Sequence, residues 1–130
     1  MDHKDTKIQS NELSEELIGV AIEVHSLLGP GLLESAYEEA FCHELSCRKI
    51  PFERQKPVPV LYKNIKLHCG YRLDLLVDRL VIIEIKSVQR IERVHEAQLL
   101  TYLKLFNIWL GLILNFNVSV MKNGIRRIVN

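Results

Sequence analysis

The segment Val81-Ile82-Ile83-Glu84-Ile85-Lys86 constrains this chain more than any other. Its β-branched run reads as a buried strand, yet two charged side chains stand inside it. Side chains alternate along a strand, so Glu84 and Lys86 share one face while Ile85 points the other way. Ionised groups are almost never fully buried without a partner or a metal, because desolvation costs more than packing returns. An acid and a base fixed side by side on a stiff strand mark a site.

Around that strand the pattern divides into helical and extended stretches. Residues 1–10 are polar and are expected to form a flexible tail, leaving 11–130 as a single domain. Leu13, Leu17, Ile18, Ala21, Val24 and Leu28 follow helical spacing, with Asn11 able to cap the start and Gly29-Pro30-Gly31 ending it. A second helix carries Leu33, Tyr37, Ala40, Phe41 and Leu45 on one face and fades before Pro51. The period then becomes two. Val58, Val60 and Tyr62 suggest an edge strand among prolines, Lys63-Asn64 a tight turn, and Ile65 to Val77 a strand bent at Gly70. After a turn at Asp78-Arg79, Leu80 to Ser87 completes an antiparallel meander. Ile91 to Phe106 returns to helical spacing, and Ile108 to Phe116 reads as a strongly apolar strand. Val118 to Met121 and Ile125 to Val129 read as a closing hairpin, with Asn123-Gly124 supplying a type I′ turn. The class is α/β, in the order α-α-β-β-β-α-β plus a C-terminal β-hairpin.

Bulk properties narrow the function classes. A net charge of +1 gives no global field toward nucleic acid or acidic membranes, so such binding needs a local basic patch. No apolar run approaches the ~20 residues of a membrane helix, and the N-terminus lacks signal-peptide grammar, so a cytoplasmic protein without membrane attachment is expected. Cys42, Cys47 and Cys69 have no metal-site spacing and read as free packed thiols. The five histidines stand singly and read as ordinary surface or interface residues.

The chemistry gathers at Asp74 and Glu84. Directly opposed residues on antiparallel strands lie ~4.5–5.5 Å apart at Cβ, close enough for two carboxylates to share a cation. A two-residue loop at Asp78-Arg79 would place Asp74 opposite Ile83. An odd loop or bulge, with Val77 paired to Val81, sets Asp74 opposite Glu84, and this register is expected. Two carboxylates so placed repel unless a cation lies between them, and oxygen ligands suit Mg²⁺ or Mn²⁺. Lys86 could then orient an attacking water or offset charge on a phosphorane. A cross-strand salt bridge of Lys86 with either acid accounts for the same spacing.

Asp74 followed by Glu84-x-Lys86 resembles the D…(D/E)-x-K signature of the PD-(D/E)XK nuclease superfamily, whose restriction-endonuclease-like core has a similar element order and a mixed central sheet flanked by helices. Gly31-Leu32-Leu33-Glu34-Ser35-Ala36-Tyr37 resembles the motif of the GxxExxY family within it, and Gln98-x-x-x-Tyr102 resembles the Q-x-x-x-Y motif of its RecB-like branch. Leu73 stands where the signature has proline. The resemblance implies Asp74 and Glu84 as metal ligands with the Ile85 backbone carbonyl, Lys86 as the catalytic lysine, and Glu34 as a further ligand or holder of water. It implies Gln98 and Tyr102 as site residues. An acid at Glu34 also suits the first turn of a helix, Tyr102 would also serve as core, and Gly31 and Tyr37 read as structural. The implied function is Mg²⁺-dependent hydrolysis of DNA by a chain that dimerises or joins a larger complex. A catalytically silent nucleic-acid-binding or scaffold subunit is the alternative, and hydrolysis of RNA a third. Arg72, Arg90, Arg93, Lys104, Lys122, Arg126 and Arg127 are the candidate phosphate contacts.

Overall fold

The computed structural model describes residues 3–130. Its framework is a mixed five-stranded sheet covered on both faces, with one apolar core on each side. Helix α1 (His3–Leu28) and helix α2 (Glu34–Cys47) cover one face. Strand β1 (Phe52–Pro57) follows, then a small ribbon of β2 (Leu61–Tyr62) and β3 (Ile65–Lys66). Strands β4 (Arg72–Val77) and β5 (Val81–Lys86) lead into α3 (Arg93–Phe106), which covers the opposite face. Strand β6 (Leu110–Asn115), a 3₁₀ turn (Met121–Gly124) and β7 (Ile125–Val129) close the chain. The sheet order is β1-β4-β5-β6-β7. Strands β5 and β6 pair in parallel through the α3 crossover, and the other neighbours are antiparallel. This is a restriction-endonuclease-like α/β architecture. Both β5 and β6 are flanked by strands and covered above and below, which is why they read as continuous apolar runs.

Several sequence expectations shift. Residues 3–10 belong to α1 instead of a flexible tail, while Met1 and Asp2 lie outside the described residues. The polar stretch conceals its packing because small residues face inward: Ser10 and Ser14 are buried and extend the stripe of Leu17, Val20, Ala21 and Val24. Lys7 Nζ lies 5.3 Å from the Trp109 ring centroid. Asn11 therefore sits inside the helix, where its side-chain oxygen accepts from Arg127. The first strand is β1, earlier than expected, and of the stretch Val58 to Tyr62 only Leu61–Tyr62 is strand, in the ribbon, while Val58 is buried in the α3-side core. The expected long strand from Ile65 divides into β3 and β4 around Gly70, whose φ of 69° breaks the extended path. Lys63-Asn64 does form a left-handed turn, with φ of 50° and 65°.

The C-terminal hairpin is also built differently. Strand β7 pairs with β6, and Met121–Gly124 is a 3₁₀ turn within the connection, not an Asn-Gly type I′ turn. Gly124 is required by close approach: a Cβ there would lie 2.0 Å from the Asn115 carbonyl oxygen. His25 is buried, its Nε2 2.7 Å from the Val118 carbonyl oxygen, and His95 accepts from the Glu92 N–H to cap α3, so neither is an ordinary surface residue. Cys42 is a packed thiol, but Cys47 and Cys69 are exposed.

Gly124→Ala is expected to destabilise the protein by more than about 2 kcal/mol, since backbone must move to admit the methyl group. Gly19→Ala, in a helix with nothing within 4 Å of the added atom, should stabilise by about 0.5–1 kcal/mol. Urea midpoints of the two variants should move in opposite directions.

Candidate active site

The β4–β5 ladder runs Val77↔Val81, Leu76↔Ile82 and Leu75↔Ile83, so the next residues in register are Asp74 and Glu84. This is the odd register that a three-residue connection sets, helped by Asp78 and Arg79 at φ of 50° and 55°. At Asp74 the ordinary ladder stops and the side chains take over. The Asp74 N–H donates to Glu84 Oε2 at 2.8 Å, and the Ile85 N–H donates to Asp74 Oδ2 at 2.7 Å. Each carboxylate thus occupies the backbone donor of the opposite strand. Alternation also breaks here: Leu73 joins the α3-side core and Leu75 the α1/α2-side core, although residues two apart on a regular strand share a face.

Strand β1 supplies the next layer. Gln55 lies opposite Asp74, outside the ladder that pairs Arg54 with Leu75 and Lys56 with Leu73, and has φ of 53°. Its amide donates to Glu38 Oε1 at 2.8 Å and, at 3.4 Å, to Asp74 Oδ1. Glu38, buried on α2, also accepts from Arg54 Nε at 2.6 Å. Glu34, one turn earlier, accepts from the Ser87 N–H at 3.2 Å, just beyond Lys86. Tyr37 fixes the loop that launches α2: its hydroxyl donates to the Gly29 carbonyl at 2.6 Å and accepts from the Leu32 N–H at 3.1 Å. Its ring stacks on Phe116, centroids 4.5 Å apart. Gly31, at φ of 97°, makes that loop possible. Both residues are structural, as expected. Buried Asn115, across from Lys86 on β6, donates to the Val88 carbonyl and accepts from the Val88 N–H, pinning the chain beyond the Glu84-Ile85-Lys86 triplet.

Burial dominates the electrostatics. It raises the Glu84 carboxyl to about 8, with the Asp74 charge adding to the rise, while the Asp74 N–H and Lys86 oppose it. The Asp74 carboxyl is raised as well, first by burial and then by Glu38 and Glu34, against the Ile85 N–H and Lys86. Four acids therefore bear on one point with Lys86 as the partial counter-charge. Tyr102 is buried on α3, and its hydroxyl is pushed up to about 12 by burial and then by Glu84. Tyr102 thus lies within the field of the acid pair. Gln98 is half-buried and lines the neighbouring groove, with no bond to the acids.

Among the described residues, no three His, Cys, Asp or Glu side chains group closely enough to hold a metal ion by themselves. Asp74 and Glu84 are the pair with the chemistry to do so, and Glu84 Oε1 has no hydrogen-bond donor among the described residues. Two of the candidate phosphate contacts are engaged elsewhere. Arg126 lies 4.0 Å from Glu96, and Arg127 binds Asn11 and Ser14 of α1. Arg90, Arg93, Lys104 and Lys122 are exposed, and Arg72 donates to the Gln55 carbonyl. Sequence reasoning missed Glu38, Gln55 and Asn115. The spacing Glu34-x-x-x-Glu38 places both acids on one helical face, a signal that could have found Glu38.

Comparison with protein families matches residues 11–128 to the PD-(D/E)XK nuclease superfamily. The chain belongs to that superfamily. Its Asp74 and Glu84-Ile85-Lys86 stand where the strands of this fold meet. No curated protein and no solved structure matches the chain significantly. No helix among the described residues is long and apolar enough to cross a membrane.

A folded-state proton affinity near pH 8 for Glu84, against 4.5 for an ordinary glutamate, has a definite linkage sign. Between those limits the folded protein holds more protons than the unfolded chain, so stability falls as pH rises. The contribution is complete below about 4.5 and is lost through about 8. In EDTA, the denaturation midpoint should drop between about pH 5 and about pH 9. Glu84→Gln should flatten much of that drop, and an undiminished drop in the variant would refute the assignment.

Proposed function

We propose that this member of the PD-(D/E)XK nuclease superfamily is a Mg²⁺- or Mn²⁺-dependent nuclease of the GxxExxY kind that hydrolyses DNA phosphodiester bonds. The observation that carries the reading is the Asp74–Glu84 pair. A buried glutamate and a half-buried aspartate lie in register on adjoining strands, both with raised proton affinity, with Lys86 two residues beyond Glu84. A pair short of positive charge and built from hard oxygen donors fits a divalent cation that keeps most of its waters. Asp74 and Glu84 would hold it, with the Ile85 carbonyl and Glu34 as further donors. The chemistry such a cation supplies when bound is Lewis-acid polarisation of the phosphoryl group and neutralisation of the two acids.

The chain's own residues do the rest. The clasp between β4 and β5 fixes the two acids before substrate arrives, so no reorganisation is needed at the moment of reaction. Lys86 orients the attacking water and offsets negative charge gathering on the phosphorus centre. Glu34, held by the Ser87 N–H, keeps a water in place near that lysine. Gln98 and Tyr102, one helical turn apart on α3, contact the strand beside the scissile phosphate.

A catalytically silent binding module is favoured by a different observation: each carboxylate already accepts a backbone N–H, and among the described residues no third His, Cys, Asp or Glu side chain groups with them closely enough to hold a metal ion. A plasmid-nicking assay separates the two. With Mg²⁺ or Mn²⁺ the wild-type protein is expected to nick supercoiled DNA, and Lys86→Ala and Asp74→Ala should each lose about 10²-fold or more. Equal cleavage by all three would trace the activity to a contaminant, and no cleavage by the wild type of either the plasmid or a single-stranded DNA circle would favour the silent module.

A further inference from the structure

The overall charge of +1 conceals a strongly uneven distribution. From Arg54 to Leu73 the chain carries Arg54, Lys56, Lys63, Lys66 and Arg72 and no carboxylate. Arg54 and Lys56 are engaged by glutamates. Lys63 and Lys66, on the ribbon, form no ion pair among the described residues. That ribbon pairs Leu61 with Lys66 and Tyr62 with Ile65, and leaves Leu61, Tyr62 and Ile65 61%, 60% and 64% exposed. Two-stranded ribbons are marginal on their own. One that displays apolar, aromatic and cationic side chains together is suited to lie against a partner carrying both phosphates and aromatic rings.

At the foot of the ribbon lies a groove of about 360 Å³, lined by Val60, Tyr71, Gln98, Thr101, Tyr102 and Leu105. Tyr71 is half exposed, and its backbone carbonyl accepts from the Val58 N–H at 2.8 Å, so the ring is presented from a fixed point. The walls are apolar and aromatic, and the amide of Gln98 and the hydroxyl of Thr101 lie among them. Such a lining suits a flat aromatic ring with hydrogen-bonding groups on its edge. The groove adjoins the acids. Ile82 packs in one core with Tyr102, and Glu84 follows on the same face of β5.

We propose that this groove seats an unpaired nucleobase stacked on Tyr71, with Lys63 and Lys66 holding the neighbouring phosphates, so that the strand offered to Asp74 and Glu84 is single-stranded DNA. The inference rests on the nuclease reading and narrows its substrate. A paired base has its edge occupied and both faces stacked, so it enters no such groove without leaving the helix. The cations of the ribbon bind any strand equally, whereas the groove selects the unpaired one.

Fluorescence anisotropy in EDTA tests this apart from catalysis, using a labelled oligothymidine of about 20 nucleotides and a blunt duplex of equal length. The single strand should bind at least about tenfold tighter than the duplex. Tyr71→Ala should weaken single-strand binding about tenfold, while Tyr71→Phe retains it, since loss of one stacked base is expected at that scale. The Lys63→Ala/Lys66→Ala double variant should lower the slope of log affinity against log salt by about one to two. Wild-type affinity in Tyr71→Ala, or equal binding of duplex and single strand, overturns the proposal. If the wild type nicks DNA but binds without regard to Tyr71, the groove assignment fails and the nuclease reading survives. Tyr71-dependent binding without cleavage supports the groove and rejects the nuclease reading.

Discussion

The reciprocal clasp between Asp74 and Glu84 is the interaction on which the rest of the molecule turns. A regular antiparallel ladder would continue past Leu75 and Ile83 and satisfy its backbone with backbone. Here two carboxylates take over the Asp74 and Ile85 donors. The exchange solves two problems together. It satisfies N–H groups that would otherwise be buried and unpaired, and it holds two acids at one spot despite their repulsion. What remains unsatisfied is charge, because desolvation and the partner acid both disfavour ionisation. An amide donor stabilises a carboxylate but does not neutralise it.

The surrounding structure limits that deficit without removing it. Arg54 stands against Glu38 and Glu39 and so screens the helix acids, while the Gln55 amide spans Glu38 and Asp74. Lys86 is the nearest cation on the site strand, and it lowers the proton affinity of both acids without restoring it to the ordinary range. Gln55 achieves its reach through a left-handed backbone that a side-chain-bearing residue adopts at a steric cost. Strain of this kind persists where the neighbours over-determine it. Here the flanking pairs Arg54↔Leu75 and Lys56↔Leu73 do so.

Much of this was legible in the sequence, for reasons that can be named. Glu84 and Lys86 announce themselves because a buried β-branched run has no cheap place for charge. The register was readable because only an odd connection brings Asp74 to Glu84. Helices α2 and α3 follow from periodic apolar residues, and β6 from its continuous apolar run. Other parts were silent because their contacts use residues with no hydrophobic signature. Ser10 and Ser14 bury a helix turn through small size, and Lys7 sets its ammonium over the Trp109 ring. Gly124 looked like a turn residue, while its role is to make room for the Asn115 carbonyl. Gln55 acts through a backbone angle that composition does not reveal.

The parallel pairing of β5 with β6 has a consequence for synthesis. The hairpin of β4 and β5 emerges before its partner at Leu110–Asn115 is free to pair, because α3 lies between them. During that interval β5 offers a bare apolar edge of the type that recruits foreign strands. Glu84 and Lys86 interrupt that edge with opposite charges, which penalise any intruder that lacks a matching arrangement. The same two side chains proposed for phosphodiester chemistry therefore act as gatekeepers while the nascent chain waits for its second half.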